Sequence, residues 1–160
     1  MQRFLLLLIV FAVLATSAAQ GQGISPLIQE LRSNKNGKAS GEFAVTNTSL
    51  QPIITTLAVK SFSVVGGNMK VRDLDGNIHV RLSEQSAKIP AKSSHIFWFE
   101  VTCEPRNPCW FQIDSSSGEA RHLSQGVTMR IWLGETLYAC PKTAKNCRET
   151  IRKEIFHLPN

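Results

Sequence analysis

The sequence lacks most of the marks of catalysis, metal binding and nucleic-acid recognition. No run of five or six Lys or Arg occurs, and the basic residues beyond Arg3 are scattered from Arg32 to Lys153. That excludes the charged arm with which a nucleic-acid partner would be held. His79, His95, His122 and His157 are dispersed, and no two stand at ligand spacing, so neither a metal nor a cofactor is expected. Asp73, Asp75 and Asn77 around Gly76 lack the late glutamate of a calcium loop and read as a hairpin turn. Ser115 to Ser117, before Gly118, have no nucleophile-elbow context and read as a loop. No nucleophile is paired with a base, so no catalytic residue is assigned and the chain is not expected to be an enzyme. C-x-x-C is absent, which argues against thiol redox chemistry. Helical periodicity is almost absent, and the one long apolar run, Phe4 to Leu14, is eleven residues, short of the roughly 20 a membrane helix needs.

That run is the core of an export signal. A basic start at Arg3, the apolar stretch and the small residues Ala15-Thr-Ser-Ala-Ala19 are its three parts. Cleavage after Ala19 would leave 141 of the 160 residues and lower the formal charge from +6 to +5, a modest surface basicity. The expected organisation is a signal peptide over 1–19, one domain over 20–145 and a tail over 146–160, with no membrane span once the signal is removed. The segment from Cys147 to His157 has room for a helical turn or another short strand.

Four cysteines in an exported chain indicate disulfides. Cys103 and Cys109 enclose Glu-Pro-Arg-Asn-Pro, and Cys140 and Cys147 enclose Pro-Lys-Thr-Ala-Lys-Asn. Two local pairs are the simplest of the three connectivities, each pinning a proline-containing turn. Zinc is the competing reading, but neither gap has the spacing of two to four residues usual for a structural zinc pair.

The rest of the chain reads as strands and turns. A first strand spans Ile24 to Leu31 around Pro26, and Asn34 to Gly37 turns. Glu42 to Thr46 is followed by the turn cluster Asn47-Thr-Ser-Leu-Gln-Pro52, in which Asn47 is formally a glycan sequon. Ile53 to Val65 is β-branched throughout; Met69 to Arg72 and Ile78 to Leu82 flank Asp75-Gly76 as a hairpin. His95 to Cys103 and Trp110 to Asp114 flank the first cysteine loop. Phe97-Trp-Phe99 and Trp110-Phe111 read as alternating core aromatics, with a carbohydrate-stacking surface as the alternative. Last comes Val127 to Tyr138, in which Val127, Met129, Ile131 and Leu133 share one face while Thr128, Arg130 and Trp132 share the other. Seven or eight short strands with regular turns predict an all-β antiparallel sandwich. The last strand carries only Arg130 and Glu135 as charges, thin protection for an edge.

In this order the segments resemble the PapD-like periplasmic pilus chaperones. Ile24-Ser-Pro-Leu-Ile-Gln-Glu-Leu31 is similar to their opening strand, and Phe43-Ala-Val-Thr-Asn47-Thr-Ser-Leu-Gln-Pro52 to their second strand and its asparagine turn. Ile89-Pro-Ala-Lys-Ser-Ser-His-Ile-Phe-Trp-Phe99 resembles their proline-led turn and aromatic strand, and Val127 to Pro141 their subunit-binding strand. The resemblance, over residues 24 to 141, implies a single immunoglobulin-like domain in the periplasm. It further implies a chaperone of pilus or other surface-fibre assembly that lends Val127, Met129, Ile131 and Leu133 to a pilin-like subunit lacking a strand. An outer-membrane usher is a further implied partner, and two copies of the chain could also pair through the same edge.

Two departures stand beside it. The family grips the partner's C-terminal carboxylate with an arginine on the first strand and a lysine on the last. Here those positions fall near Leu27 or Ile28 and at Thr136, leaving Arg32, Arg130 or Lys142 as substitutes. The family's second sandwich domain of about one hundred residues is also missing from this sequence. The competing reading is a small secreted immunoglobulin-like binding or structural module, its last strand paired internally and its loops at Cys103–Cys109 or Ser115–Arg121 facing a ligand.

Overall fold

The computed structural model describes residues 22–119 and 130–156. The signal read at 1–19, and Val127, Met129, His122 and His157, lie outside these. Ten strands and one helix follow in order: β1 (Gln22–Ser25), β2 (Ile28–Ser33), β3 (Lys38–Asn47), β4 (Ile53–Val65), β5 (Asn68–Asp73), β6 (His79–Leu82), β7 (Ser86–Ile89), β8 (Ser93–Thr102), β9 (Cys109–Glu119), β10 (Arg130–Pro141) and α1 (Cys147–Phe156). One sheet runs β1-β3-β8-β6; the other runs β2-β10-β9-β4-β5, with β7 beside the first part of β4. Every pair is antiparallel except β2 with β10, which is parallel. The chain is thus the all-β sandwich expected from its strand pattern, with the immunoglobulin-like arrangement that the resemblance implies.

Side-chain alternation builds the interior. Phe43 and Val45 of β3, Phe97, Phe99 and Val101 of β8, and Phe111 and Ile113 of β9 all point between the sheets and are buried. Phe43 and Phe97 stack at 5.4 Å, and Phe99 meets Phe111 edge-on at 6.3 Å. Each such side chain contributes roughly 1.5–3 kcal/mol by leaving water. Asn47 is also buried: its amide nitrogen donates to the carbonyls of Gln51, Ile89 and Pro90, and its Oδ1 accepts from Ser49. The sequon asparagine is therefore a hub of the turn.

Several expectations are corrected. The first strand is two, broken at Ser25–Pro26, a cis peptide, because proline has no N–H to give a ladder. β1 joins β3 in one sheet and β2 joins β10 in the other. Asp75-Gly76 does not turn a hairpin: β5 pairs with β4, and β6 pairs with β8 in the opposite sheet. The switch lets Ile78, Val80 and Leu82 pack on the core, whereas β5 is exposed throughout. Ser115 to Ser117 lie inside β9 rather than in a loop; Ser115 and Ser117 are buried, and Ser117 Oγ bonds Thr55 Oγ1 at 2.7 Å. Small hydroxyls fit here because β4 and β10 flank β9 on both sides.

Both local disulfides are formed, Cys103 with Cys109 and Cys140 with Cys147. The second ties down α1, a helix of ten residues where a turn or a short strand was expected. Phe62, Trp110, Tyr138 and Cys140 point out of the larger sheet at one end, and Ile151 and Ile155, one helical turn apart, cover them. Trp110 Nε1 donates to the Phe62 carbonyl at 3.1 Å. The outer face at the opposite end, around Ile54 and Trp132, has no such cover among the described residues, and Trp132 is 66% exposed.

Candidate partner-binding edge

β10 has two unlike halves. It pairs with β9 from Arg130 to Ala139, but with β2 only from Thr136, opposite Ile28, to Pro141, opposite Ser33. The Thr136 N–H donates to the Leu27 carbonyl at 2.9 Å, the first rung of that second ladder. Since N–H groups alternate sides along a strand, those of Trp132 and Gly134 point toward the same side and meet no strand among the described residues. The slot is open because the chain ahead of Pro26 has crossed to the other sheet.

The inward file of β10 is Ile131, Leu133, Glu135, Leu137 and Ala139. Leu137 and Ala139 are fully buried; Ile131 and Leu133 are half-buried, Leu133 packing against the main core. Trp132 and Arg130 face outward and line a groove of about 370 Å³ with Ile54, Ala58 and Asp114. Beside the open edge, Leu27 and Ile28 are 60% and 53% exposed.

Glu135 is not the surface charge that thin edge protection seemed to offer. Its odd position places it inward, with no exposure at all. Gln29 Nε2 donates to Glu135 Oε1 at 2.9 Å and to the Glu42 carbonyl at 2.6 Å, while Glu135 Oε2 has no hydrogen-bond partner among the described residues. Burial raises its carboxyl to about 8, the Gln29 bond only partly opposing it. Gln29 can reach across because Gly41 has no side chain: a Cβ there would lie 2.5 Å from the Phe99 ring and 2.7 Å from Gln29 Oε1. A glutamate in an otherwise apolar alternation was the one available sign of this site.

Among the described residues no group of three or more His, Cys, Asp or Glu gathers as a metal site, and no helix is long and apolar enough to cross a membrane. His95 instead bonds Glu84 at 2.6 Å and lies against Phe97. Of the aromatics weighed as a sugar platform, Phe97, Phe99 and Phe111 are core, while Trp98 is exposed.

No family model matches the sequence, and no curated protein does. Solved structures do share the architecture. A PapD-like domain of human CEP192 gives a TM-score of 0.57 at 12% identity, over 78% of this chain and 87% of that one. The fold is PapD-like. A chaperone–tip adhesin complex of CFA/I fimbriae gives 0.58 at 18% identity, over 78% of this chain and 59% of that one. A Salmonella enterica complex of SafA pilin with SafB chaperone gives 0.58 at 10%, over 87% and 63%. The chain therefore spans about 60% of the length of these two matches.

Within this PapD-like frame, the two positions that the resemblance assigns to a carboxylate grip do come together, Thr136 beside Ile28, but neither carries a charge. The substitutes are elsewhere: Arg32 bonds Glu30 and the Ala144 carbonyl, Arg130 faces outward, and Lys142 lines a separate cavity.

Proposed function

We propose that the protein is a periplasmic chaperone-like factor that binds pilus or other surface-fibre subunits by lending the first half of β10. The observation that carries this is the ladder: among the described residues, Arg130 to Glu135 pair with β9 and with no strand on the other edge. An edge like this invites β-strand addition, in which backbone groups supply the rungs and alternate side chains fill pockets. Val127, Met129, Ile131 and Leu133 would be the lent residues, with Leu27 and Ile28 as an apolar flank. Burying each would contribute roughly 1.5–3 kcal/mol before ordering costs. The two disulfides suit an oxidising compartment, and the fold is shared with fimbrial chaperones solved with a pilin or a tip adhesin.

The absence of a cation at Thr136 and Ile28 makes the apolar file, rather than a carboxylate grip, the source of affinity. The test uses the mature oxidised protein with pilin-like subunits from the same source, followed by co-purification and by light scattering of the refolding subunit. Met129→Lys with Ile131→Lys should abolish capture and leave the fold intact. Capture that survives the pair, or a wild-type protein that never suppresses subunit aggregation, contradicts the proposal. Unfolding of the pair would mean that these side chains belong to the domain's own core.

A further inference from the structure

A cavity of about 460 Å³ lies at the far end of the β2–β10 ladder, lined by Lys35, Arg106 and Lys142 together with Ser33 and Asn34. No acidic side chain lines it, and among the described residues none of the three cations is in an ion pair. Like charges gathered without a counterion repel one another, so an arrangement held this firmly favours an anion between them.

Three separate constraints bring the cations together. Lys35 sits in a turn fixed by Asn34, whose Oδ1 accepts the N–H groups of Asn36 and Lys38. That turn is held against the first disulfide loop: the Cys103 N–H donates to the Gly37 carbonyl at 3.0 Å, and a Cβ on Gly37 (φ +76°) would lie 2.1 Å from the Cys103 carbonyl oxygen. Arg106 projects from that loop in a left-handed conformation, φ 74°, which is uncommon for a residue with a side chain. Lys142 follows Pro141 in a turn closed by the Ala144 N–H on the Pro141 carbonyl at 3.0 Å and braced by Arg32 on the Ala144 carbonyl. The second disulfide, Cys140 to Cys147, encloses that turn. Pro141 and the aliphatic stems of the cations make the walls largely apolar.

We infer that this cavity is a binding site for an anionic group, carboxylate or phosphate, carried on an apolar body. It is independent of the open edge of β10 and stands whether or not that edge lends itself to a partner.

The site is tested by amide chemical shifts of the mature oxidised chain titrated with hexanoate, hexyl phosphate, hexanol and hexylammonium. The two anions should give saturable shifts centred on Asn34, Lys35, Arg106, Lys142 and Thr143, and the neutral and cationic probes should not. The stronger of the two anions names the headgroup. Raising NaCl from about 50 to 300 mM should weaken binding several-fold. Arg106→Gly with Lys142→Gln should weaken it at least tenfold; both side chains are exposed, and glycine accepts the left-handed backbone, so the fold is preserved. Lys88→Gln, a distant exposed lysine, should change nothing. The inference is overturned by the absence of saturation at these amides, by equal response to hexanol, or by equal loss from the distant variant.

Discussion

The first and second halves of β10 share a strand, a neighbour in β9 and one inward file of side chains, yet their surroundings differ. From Thr136 to Ala139 the strand has partners on both edges and buried inward residues, and a helix and a disulfide cover the outer face of this half. From Arg130 to Glu135 it has, among the described residues, one partner strand, half-buried Ile131 and Leu133 on its inward file, an exposed tryptophan outside and a buried carboxyl oxygen without a hydrogen bond. The hydrophobic alternation is nearly the same in both. The difference comes from β2, which begins only after Pro26 and so reaches only the second half. An identical pattern is therefore core where a second neighbour exists and an available surface where it does not.

The largest expected effect is on the paired half. Leu137→Lys would bury an ammonium between the sheets, costing several kcal/mol, and the domain should be unfolded or lose most of its urea midpoint. Opening the second disulfide with Cys140→Ser and Cys147→Ser should cost roughly 2–3 kcal/mol and release α1 from Phe62, read as a lower melting temperature and lost helical signal.

Glu135 stands at the boundary, and its effect is intermediate. The folded chain holds a proton on it up to about pH 8, whereas the unfolded chain releases it near the ordinary value of 4.5. Its contribution is therefore fully present below pH 4.5, is lost as pH rises toward 8 and is level above that, with a slope of at most about 1.4 kcal/mol per unit. Glu135→Gln should flatten the slope and add roughly 1–3 kcal/mol of stability at pH 8–9, measured by urea midpoints at pH 5, 7 and 9. A wild-type curve flat over that range would mean the carboxylate is solvated. The smallest effect is expected on the open half: Ile131→Lys alone should shift stability by less than about 1 kcal/mol.

Much of the sandwich is legible in the sequence because its code is period two. Phe43 with Val45, Phe97 with Phe99, and Ile53 with Leu57 announce inward faces, and the cysteine spacings announce both local disulfides. What the pattern cannot show is which strand lies beside which. Asp75-Gly76 has the composition of a hairpin, but the sheet switch there depends on Ile78, Val80 and Leu82 finding the core. Ser115 to Ser117 before Gly118 read as a loop because serine and glycine are turn residues, and only β4 and β10 on either side make them a strand. At the edge, the alternation identifies Ile131 and Leu133 as a face but says nothing of β2 beginning only at Ile28. The burial of Glu135 follows from parity, which its charge disguises.

The measurement that reaches the central claim is amide hydrogen exchange of the mature oxidised protein, at dilute, monomeric concentration, across β10. The Trp132 and Gly134 amides should exchange fast and those of Thr136, Tyr138 and Cys140 slowly, with Trp132 and Gly134 gaining protection when a fibre subunit is added. Uniform slow exchange from 130 to 140 in the protein alone would contradict the account, since the first half of the strand would then already be paired within its own domain.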